Sequence, residues 1–326
     1  MISIKKYSKN FINQWNDFVS SANNGTLFSN RDFLNYHINR AFQDYSLLFF
    51  KNKKIIAVLP AAIKNNSLHS HPGASYGGII ILKETSFKTI NYIVSELESF
   101  CMKKKFSSII LKIPPASYLS SYDESINYIL ERNGFKIKER YISHLVNISS
   151  KKDVISLLTK RKRRYINNPA AYNQIVLKES DSFSSFYKIL LDVKKKYDSK
   201  PTHSLDELKN IKKLFPQKCI LILSKLKNKI VGGSLMFFIN KKVSLVFYNV
   251  VLDSFRKSQL SAYQLYNCMV FSKKQGYSLV DFGVSQNPES SDPLSPKISL
   301  IQFKEHFGAK GAMRTVYIKK FKYDKT

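Results

Sequence analysis

The feature that most constrains the fold is a layout that occurs twice along the 326 residues. In each half, a turn rich in Lys and Asn enters a strand pattern, and a helix pattern with a basic end then leads into an apolar strand. Each half closes with a second helix pattern, a break containing Phe and Gly, and a last strand pattern. The matching positions are separated by 176, 171 and 172 residues: Lys51 and Lys227, Phe100 and Phe271, Phe135 and Phe307. Such nearly constant spacing predicts an internal duplication, the alternative being a chance similarity of two α/β domains.

Both halves predict the same order of elements: helices, a β-meander, a helix, a strand, a helix and a final strand. In the second half, apolar alternation predicts successive strands at 219–223, 235–239 and 243–250. Helical spacing follows from Tyr263 to Lys274, and a short central strand is expected at 278–282. The predicted fold class is therefore α/β with a mixed (α+β) sheet. Small polar residues interrupt the pattern between two tandem domains, residues 1–150 and 151–326.

The composition is strongly basic, with 53 Lys and Arg against 23 Asp and Glu and a formal net charge of +30. The heavy use of Lys, Asn, Ile and Ser is expected of an A/T-rich coding sequence, which explains the excess as well as a functional role does. In either case such a surface attracts polyanions such as tRNA, nucleotide donors or anionic lipid head groups. Peripheral contact with an anionic membrane is therefore one expectation.

Three cysteines, Cys101, Cys219 and Cys268, are far apart and lie in apolar periodic runs. Their odd number and spacing favour core positions in a reducing compartment over a disulfide framework or a zinc site. The N-terminus lacks the apolar segment of a signal peptide, and no later run approaches about eighteen uninterrupted apolar residues. A cytoplasmic protein is therefore expected.

Two C-terminal motifs mark a candidate site. Asp281-Phe-Gly283 ends the short central strand, and Phe303-Lys-Glu-His-Phe-Gly308 places a lysine among aromatic residues before the last strand. In this order and at roughly this spacing, they resemble the closing motifs of the FemABX-like branch of the GNAT acyltransferase superfamily, of the kind found in surface-polysaccharide loci. The resemblance covers nearly the whole chain. It implies two tandem GNAT-like domains, the second carrying the FKxxFG motif, and an enzyme that moves acyl or aminoacyl groups onto amines.

The resemblance implies that Phe303 and Lys304 are functional, with Lys304 as a catalytic residue. Acyl transfer to an amine passes through a tetrahedral intermediate whose oxyanion a lysine held by Phe303 and Phe307 would stabilise. A lysine that extends to solvent from an amphipathic helix is the alternative. The resemblance further implies that the strand at Asp281 is splayed from its neighbour, so that the donor enters beside Gly283. Asp281 then positions the acceptor amine or relays its proton, unless it caps the turn that follows.

His203 and Tyr248 are further candidate substrate-binding residues in the second half. The segment from Lys194 to Glu207 resembles one in the family in which a helix ends, a Pro-containing turn follows and a new helix begins. Ser204 and Glu207 form a capping-box pattern at the start of that helix. His203, just before this cap, is interpreted either as a base or, more simply, as a surface histidine.

In the first half, the turn-rich segment from Leu68 to Gly78 resembles the Ser-His-Pro-Gly and Tyr-Gly-Gly stretch of FemAB-related proteins. The resemblance implies substrate contacts for His71, Tyr76 and Gly77, where glycine lets the backbone approach an acceptor closely. His69 and His71 are two residues apart with no nearby carboxylate or cysteine. This is poor spacing for metal ligands, so no metal is expected.

The densest basic cluster is Lys160-Arg-Lys-Arg-Arg164, on a predicted helix. Such a run is usually a solvated helix face, but a basic helix opening the second domain is common in the family. That similarity implies phosphate contacts for Arg161, Arg163 and Arg164. The segment Phe255-Arg-Lys-Ser-Gln-Leu-Ser-Ala262 lacks the glycines with which GNAT acetyltransferases bind the CoA pyrophosphate. Acetyl-CoA is therefore in doubt, and the expected donor is either an acyl-CoA or an aminoacyl-tRNA.

The predicted function is N-acyl or aminoacyl transfer to an amine of a cell-envelope glycan precursor, such as a lipid-linked amino sugar of surface polysaccharide. Two alternatives stay open. One is an aminoacyl-tRNA-dependent transferase that builds peptidoglycan bridges, and the other is a non-catalytic GNAT-like protein that binds RNA or another polyanion. An inert Lys304 and strongly salt-dependent RNA binding would favour the non-catalytic alternative.

Overall fold

The computed structural model describes residues 2–37, 42–168, 172, 174–196, 198–287, 289–292 and 294–323. The chain forms two compact units. The first takes in described residues within Met1–Ile142, Pro288–Ser295 and Ala312–Thr326, and the second those within Ser143–Asn287 and Pro296–Gly311. Both units combine helices with sheets, which confirms the predicted α/β class. Neither unit is continuous in sequence, and the boundary at residue 150 stays a prediction.

The first unit combines short strands with helices, of which the 17-residue α3 is the longest among the described residues. Its strands are β1 (Ser3–Lys6), β2 (Gln43–Asp44), β3 (Leu47–Lys51), β4 (Lys54–Leu59), β5 (Ala62–Lys64), β6 (Ser67–His69), β7 (Ile80–Ile81) and β8 (Ser108–Ile113). Its helices are α1 (Ile12–Ser21), α2 (Arg31–Leu34), α3 (Phe87–Lys103) and α4 (Ser125–Arg132). An antiparallel sheet has the order β1-β3-β4-β7, and a second row of paired strands has the order β8-β6-β5-β2, in which β6 and β8 are parallel.

The second unit is built on one larger sheet. Strand β9 (Lys136–Asn147) begins in the first unit and ends in the second. The strands that follow are β10 (Ile175–Glu179), β11 (Cys219–Leu226), β12 (Lys229–Phe238), β13 (Val243–Val251) and β14 (Leu279–Val284). The helices are α5 (Lys160–Ile166), α6 (Phe183–Lys195), α7 (Leu205–Leu214), α8 (Leu260–Lys274) and α9 (Ile298–Glu305). The strand order is β10-β11-β12-β13-β14-β9, with β13 and β14 parallel. The last strand, β15 (Lys310–Lys320), begins in the second unit and ends in the first, where it pairs with β8.

Equivalent turns in the two halves support the predicted repeat. The turn between β3 and β4 at residues 52–53 and the turn between β11 and β12 at residues 227–228 have positive φ angles of 45° to 66°. Two-residue turns that match the twist of their strands require such angles. After α3 the chain turns towards β8 through Lys105 with a φ of 55°, and after α8 it turns towards β14 through Gly276 with a φ of 85°. The two halves therefore break at matching positions.

Apolar periodicity accounts for both cores. In the first unit, α3 buries Ile90, Ile93 and Leu97, spaced three and four residues apart, in a core shared with β8. In the second unit, α8 contributes Leu265 and Met269 to a core shared with β11, β12 and β14. No helix in the described ranges is long and apolar enough to cross a membrane.

Cys101 and Cys268 lie in these cores, and Cys219 begins strand β11. Cys101, Cys219 and Cys268 are all buried and unbridged, as their apolar surroundings predict. Burial raises the pKa of each thiol to about 12, which keeps the sulfur protonated and unreactive at neutral pH.

Candidate active site

The parallel strands β13 and β14 separate at their C-terminal ends. Their paired positions stop at Leu245 and Asp281, whereas β13 continues to Val251 and β14 to Val284. On its other side, β14 pairs with β9 through an irregular register between Asp281 and Val284. Gly283 lies in this bulge with a φ of 75°, a conformation that favours glycine. The splayed strand that the sequence motifs imply is therefore present.

Lys304, in the last turn of α9, points onto the end of β14. It is only 4% exposed. Its Nζ donates hydrogen bonds to the carbonyl oxygens of Gly283 (2.8 Å) and Val284 (2.9 Å) and to the Oγ of Ser285 (2.9 Å). Three acceptors match the three N–H bonds of an ammonium group. The side chain is therefore fixed in the interior, and the alternative of a lysine extending to solvent is wrong.

The loop before α9 returns to the same strand end. The N–H of Lys297 donates to the carbonyl oxygen of Ser285 (2.8 Å), and Gln286 forms an isolated β-bridge with Pro296. These contacts place the start of α9 beside the end of β14. Lys304, two turns along the helix, can then reach the three acceptors.

Asp281 is the charged partner of Lys304. Burial lowers the pKa of Lys304 to about 8, and the carboxylate of Asp281 opposes this shift. Asp281 is completely buried, and its Oδ1 accepts a hydrogen bond from the N–H of Gly283 (2.6 Å). The carboxylate thus caps the bulge at Gly283, and it also favours the charged form of Lys304. Capping of the turn that follows, the structural alternative for Asp281, stays a prediction. Contact with an acceptor amine stays a prediction.

Sequence reasoning missed two residues that extend this cluster, Ser285 and His144. The Nδ1 atom of His144 lies 2.9 Å from the Oγ of Ser285, and the histidine is 2% exposed. Because an ammonium only donates, the Oγ of Ser285 accepts from Lys304 and keeps its own hydrogen, which bonds to Nδ1 of His144 in the tautomer that carries the ring proton on Nε2. We call Asp281, Ser285, His144 and Lys304 the lysine cluster.

The protonation of His144 fits this arrangement. Burial lowers the pKa of His144 and the charge of Lys304 lowers it further, while Glu305 raises it. The ring is therefore neutral at pH 7, as a hydrogen bond accepted from Ser285 requires. Neither residue has a local sequence signal, since His144 lies inside strand β9 and Ser285 lies in a polar loop.

Part of the predicted phosphate-binding set lines a second site. Arg161 and Lys162 of α5 line a pocket of about 330 Å³ together with Arg256, next to the N-terminus of α8. Arg163 and Arg164 do not belong to the lining of this pocket. The structure therefore brings Arg161 to a cationic pocket and leaves the other two arginines outside it.

Lys162 and Phe303 correct two expectations. The Nζ of Lys162 lies 4.9 Å from the ring centroid of Phe303 and 6.0 Å from that of Phe307, and it donates to the Oε1 of Gln259 (2.7 Å). The basic helix is therefore not wholly solvated, because Lys162 is buried. The two rings pack against Lys162, while Lys304 is held by carbonyl and hydroxyl oxygens. Gln259 has a φ of 59°, so a residue other than glycine takes the left-handed conformation just before α8.

His203 and Tyr248 form a separate aromatic group. His203 is buried, so its interpretation as a surface histidine is wrong. Its ring packs against Phe247, and its Nδ1 lies 3.3 Å from the hydroxyl of Tyr248. The capping box of Ser204 and Glu207 is present at the start of α7, as predicted. Substrate contact by His203 and Tyr248 stays a prediction.

The predicted residues of the first unit lie along the loop after β6. His71 is buried, which lowers its pKa to about 4 and keeps it neutral. Tyr76 is also buried. A Cβ on Gly77 would lie 3.0 Å from the Cβ of Ser70. A Cβ on Gly73 would lie 2.3 Å from the Nε2 of His37. Close packing of the chain on itself accounts for these glycines, and their contact with an acceptor stays a prediction.

The fold matches solved structures over nearly its full length. FemX superposes with a TM-score of 0.72 at 14% identity, covering 98% of this chain and 97% of that one. A tandem GNAT protein from the clavulanic acid biosynthesis pathway gives a TM-score of 0.58 at 10% identity, covering 99% and 100%. The C-terminal domain of a putative lysylphosphatidylglycerol synthetase from Agrobacterium fabrum gives 0.62 at 9% identity, covering 95% and 91%.

No protein-family model and no curated protein sequence matches the chain. At identities this low, the likeness to solved structures establishes the fold. This chain therefore shares the fold of FemX and of the tandem GNAT protein, as its C-terminal motifs imply.

Proposed function

We propose that the protein is an acyltransferase that moves an acyl or aminoacyl group from a donor to an amine. The observation that carries this proposal is the ammonium of Lys304, buried and fixed at the splayed end of β14. A fixed cation beside a gap between strands suits a reaction in which negative charge develops on a carbonyl oxygen. The fold of FemX over the whole chain supports the same class of reaction.

The reaction forms a carbon–nitrogen bond between the amine and the acyl carbonyl carbon, and the carbonyl oxygen becomes an oxyanion. Collapse of this tetrahedral intermediate breaks the bond to the leaving group, which is the thiolate of CoA or a ribose oxygen of tRNA. The amine loses one proton and the leaving group gains one. Lys304 acts on the oxyanion, a role in which loss of one donor lowers the rate by roughly 10²–10³-fold.

Lys304 reaches the oxyanion by exchanging one of its three hydrogen bonds. The carbonyl oxygens of Gly283 and Val284 keep the side chain in place, whereas Ser285 has a second partner in His144. When Nζ turns one N–H from Ser285 to the oxyanion, the Ser285 hydroxyl keeps its bond to Nδ1 of His144. Neither the hydroxyl nor the ammonium then lacks a partner, which keeps the cost of the exchange small.

Asp281 supports this role through charge and through position. Its carboxylate favours the ammonium form of Lys304 against the effect of burial. Its bond to the N–H of Gly283 fixes the bulge whose carbonyl oxygen holds the ammonium. Asp281 therefore helps to keep a positive charge at one point of the strand end near neutral pH.

The phosphates of the donor are proposed to bind in the pocket lined by Arg161 and Arg256. This pocket adjoins the N-terminus of α8, and helix N-termini attract anions. The left-handed conformation of Gln259 gives the loop a backbone shape for which glycine is normally used. Both acyl-CoA and aminoacyl-tRNA carry phosphate groups, so both remain candidate donors.

The acceptor is proposed to be an amino sugar of a cell-envelope glycan precursor, modified in the cytoplasm. The support is the resemblance of the two C-terminal motifs to proteins of surface-polysaccharide loci. Native mass spectrometry of the purified protein, which detects carried CoA, tRNA or nucleotide sugar, is the first test of donor and acceptor class.

The decisive experiment is a transfer assay with either acetyl-CoA or charged tRNA as donor and a nucleotide-linked amino sugar as acceptor. Formation of an acylated or aminoacylated product by the wild type, and its loss in Lys304→Met, is the expected result. No product with either donor, combined with RNA binding that is unchanged in Lys304→Met, would replace the proposal with the non-catalytic alternative.

A further inference from the structure

One sheet face in the first unit bears four basic residues, and the opposite face packs against the core of this unit. Strands β15, β8, β6 and β5 are neighbours in that order. Their register places Arg314 of β15, Lys112 of β8, His69 of β6 and Lys64 of β5 on the same face. The alternate positions, such as Leu111, belong to the core of this unit. We call the four basic residues the cationic face.

The charges of this face act on one another. Burial lowers the pKa of Lys112, and the charges of Arg314, Lys138 and Lys64 lower it further. Burial also lowers the pKa of His69, again with the help of Lys112, Lys64 and Lys138. Like charges on neighbouring strands destabilise one another's ionised forms, and a bound anion would relieve that repulsion.

One nearby carboxylate, that of Glu139, favours the charge of Lys112. It is already engaged, since it accepts hydrogen bonds from the ammonium of Lys138 and from the hydroxyl of Tyr141. Because this carboxylate already accepts two hydrogen bonds, it does not neutralise the combined positive charge of Lys112 and its basic neighbours.

Two aromatic rings fix the guanidinium group of Arg314 in one plane. Its guanidinium carbon lies 5.1 Å from the ring centroid of Tyr76 and 5.3 Å from that of Tyr141. Its Nε is buried and has no hydrogen-bond partner among the described residues. Two aromatic contacts fix the plane of a cation that still has a donor to use.

The loop after β6 builds the edge of the same site. The Oγ of Ser70 accepts from the N–H of Lys112 (2.7 Å), and the N–H of Gly77 donates to the carbonyl oxygen of Lys112 (2.9 Å). Tyr76, which contacts Arg314, lies in this loop. The segment from Leu68 to Gly78, which resembles a stretch of FemAB-related proteins, is therefore hydrogen-bonded to both the N–H and the carbonyl oxygen of Lys112.

We propose that the cationic face binds the phosphate or diphosphate group of a small phosphorylated ligand. A phosphate dianion or a diphosphate neutralises more than one of the clustered charges, whereas a carboxylate neutralises one. The fork of Arg314 donates to two phosphate oxygens, and Lys112 supplies a compact charge. Both side chains are half-buried, which suits a small ligand better than the extended backbone of a nucleic acid.

The test is calorimetric titration with inorganic pyrophosphate, without any acyl donor, so it does not depend on the proposed transferase activity. The full chain carries Arg161→Gln and Arg256→Gln, so that the pocket of the second unit does not contribute. Lys112→Gln and Arg314→Lys are compared with Lys103→Gln, which removes one exposed lysine from α3 of the same unit. Malonate and a short RNA at the same ionic strength are the competing ligands.

Pyrophosphate should bind the background protein, and Lys112→Gln should weaken binding roughly tenfold to a hundredfold, as loss of one charged hydrogen bond does. Arg314→Lys should also weaken it, because the planar fork is lost while the charge is kept, and Lys103→Gln should not. In phosphate-free buffer, Lys112→Gln should melt at the same temperature as its parent or higher, because a repelling charge is removed. No pyrophosphate binding, equal binding in all three variants, or tighter binding of malonate or RNA would overturn the proposal.

Discussion

Replacing Lys304 by Met should change how the stability of the protein depends on pH. Methionine has a similar length and no charge, so the comparison with the wild type isolates the titration of Lys304. Burial lowers the pKa of Lys304 in the folded protein from 10.5 to about 8, and the unfolded chain regains the ordinary value. Between these pKa values the unfolded chain binds more protons than the folded one, so the stability of the wild type rises with pH relative to the variant.

The size of the effect follows from the same two values. Each pKa unit corresponds to about 1.4 kcal/mol, so the window from 8 to 10.5 amounts to roughly 3 kcal/mol. Roughly 2.5 kcal/mol of this develops between pH 7 and pH 10. Below pH 8 the relative stability is nearly constant, because Lys304 is protonated in both states. The variant also loses three hydrogen bonds at every pH, which adds a constant difference but no slope.

The assay is urea unfolding followed by circular dichroism at pH 7, 8, 9 and 10. Because the chain has two units, the transition that Lys304→Met displaces is the one assigned to the second unit. Lys310→Met, which removes an exposed lysine of the same unit, is the matched control. A stability difference that stays constant with pH, or that changes equally in the control, would show that burial does not depress the pKa of Lys304.

Three further predictions concern neighbouring features. Arg161→Gln should raise the KM for the donor roughly tenfold in the transfer assay, whereas Arg164→Gln, on the same helix but outside the pocket, should not; equal effects would mean that only overall charge matters. Since the pKa of His144 is depressed, the wild type should lose stability relative to His144→Gln as the pH falls below 6.5, and parallel unfolding curves at pH 7.5 and 5 would contradict this. Gly283→Ala should cost about 1–2 kcal/mol of unfolding free energy through its positive φ alone, because no atom of the described residues other than its chain neighbours lies within 4 Å of the added Cβ, and an unchanged melting temperature would refute it.

Elements that depend on local pattern were predictable from the sequence. The hairpin turns at residues 52–53 and 227–228 and the capping box of α7 follow from spacing and turn chemistry within about a dozen residues. The helix predicted from Tyr263 to Lys274 is also present, although it begins three residues earlier, at Leu260. The tandem GNAT fold was also within reach, because the repeat and the C-terminal motifs are visible in the sequence.

The contacts of the candidate site were not predictable in this way. His144 and Ser285 are 141 residues apart, and nothing in the sequence of β9 or of the polar loop indicates that they meet. The partners of Lys304 lie 19 to 21 residues before it, across a loop whose path only the folded chain defines. His203 was misjudged for the same reason, since the rings that bury it come from strands that follow it by more than thirty residues.

Because the end of β15 belongs to the first unit, this unit cannot finish folding until the last strand has been synthesised. Residues 108–113 of β8 pair with residues 315–320 of β15, which the ribosome makes about 200 residues later. At a synthesis rate of roughly 5–20 residues per second, the edge of β8 waits about 10–40 s for its partner. During that time the nascent first unit presents an unpaired strand edge, which is the kind of surface that chaperones protect and that aggregation exploits. The first unit is begun first but can be completed only after nearly all of the second has been made.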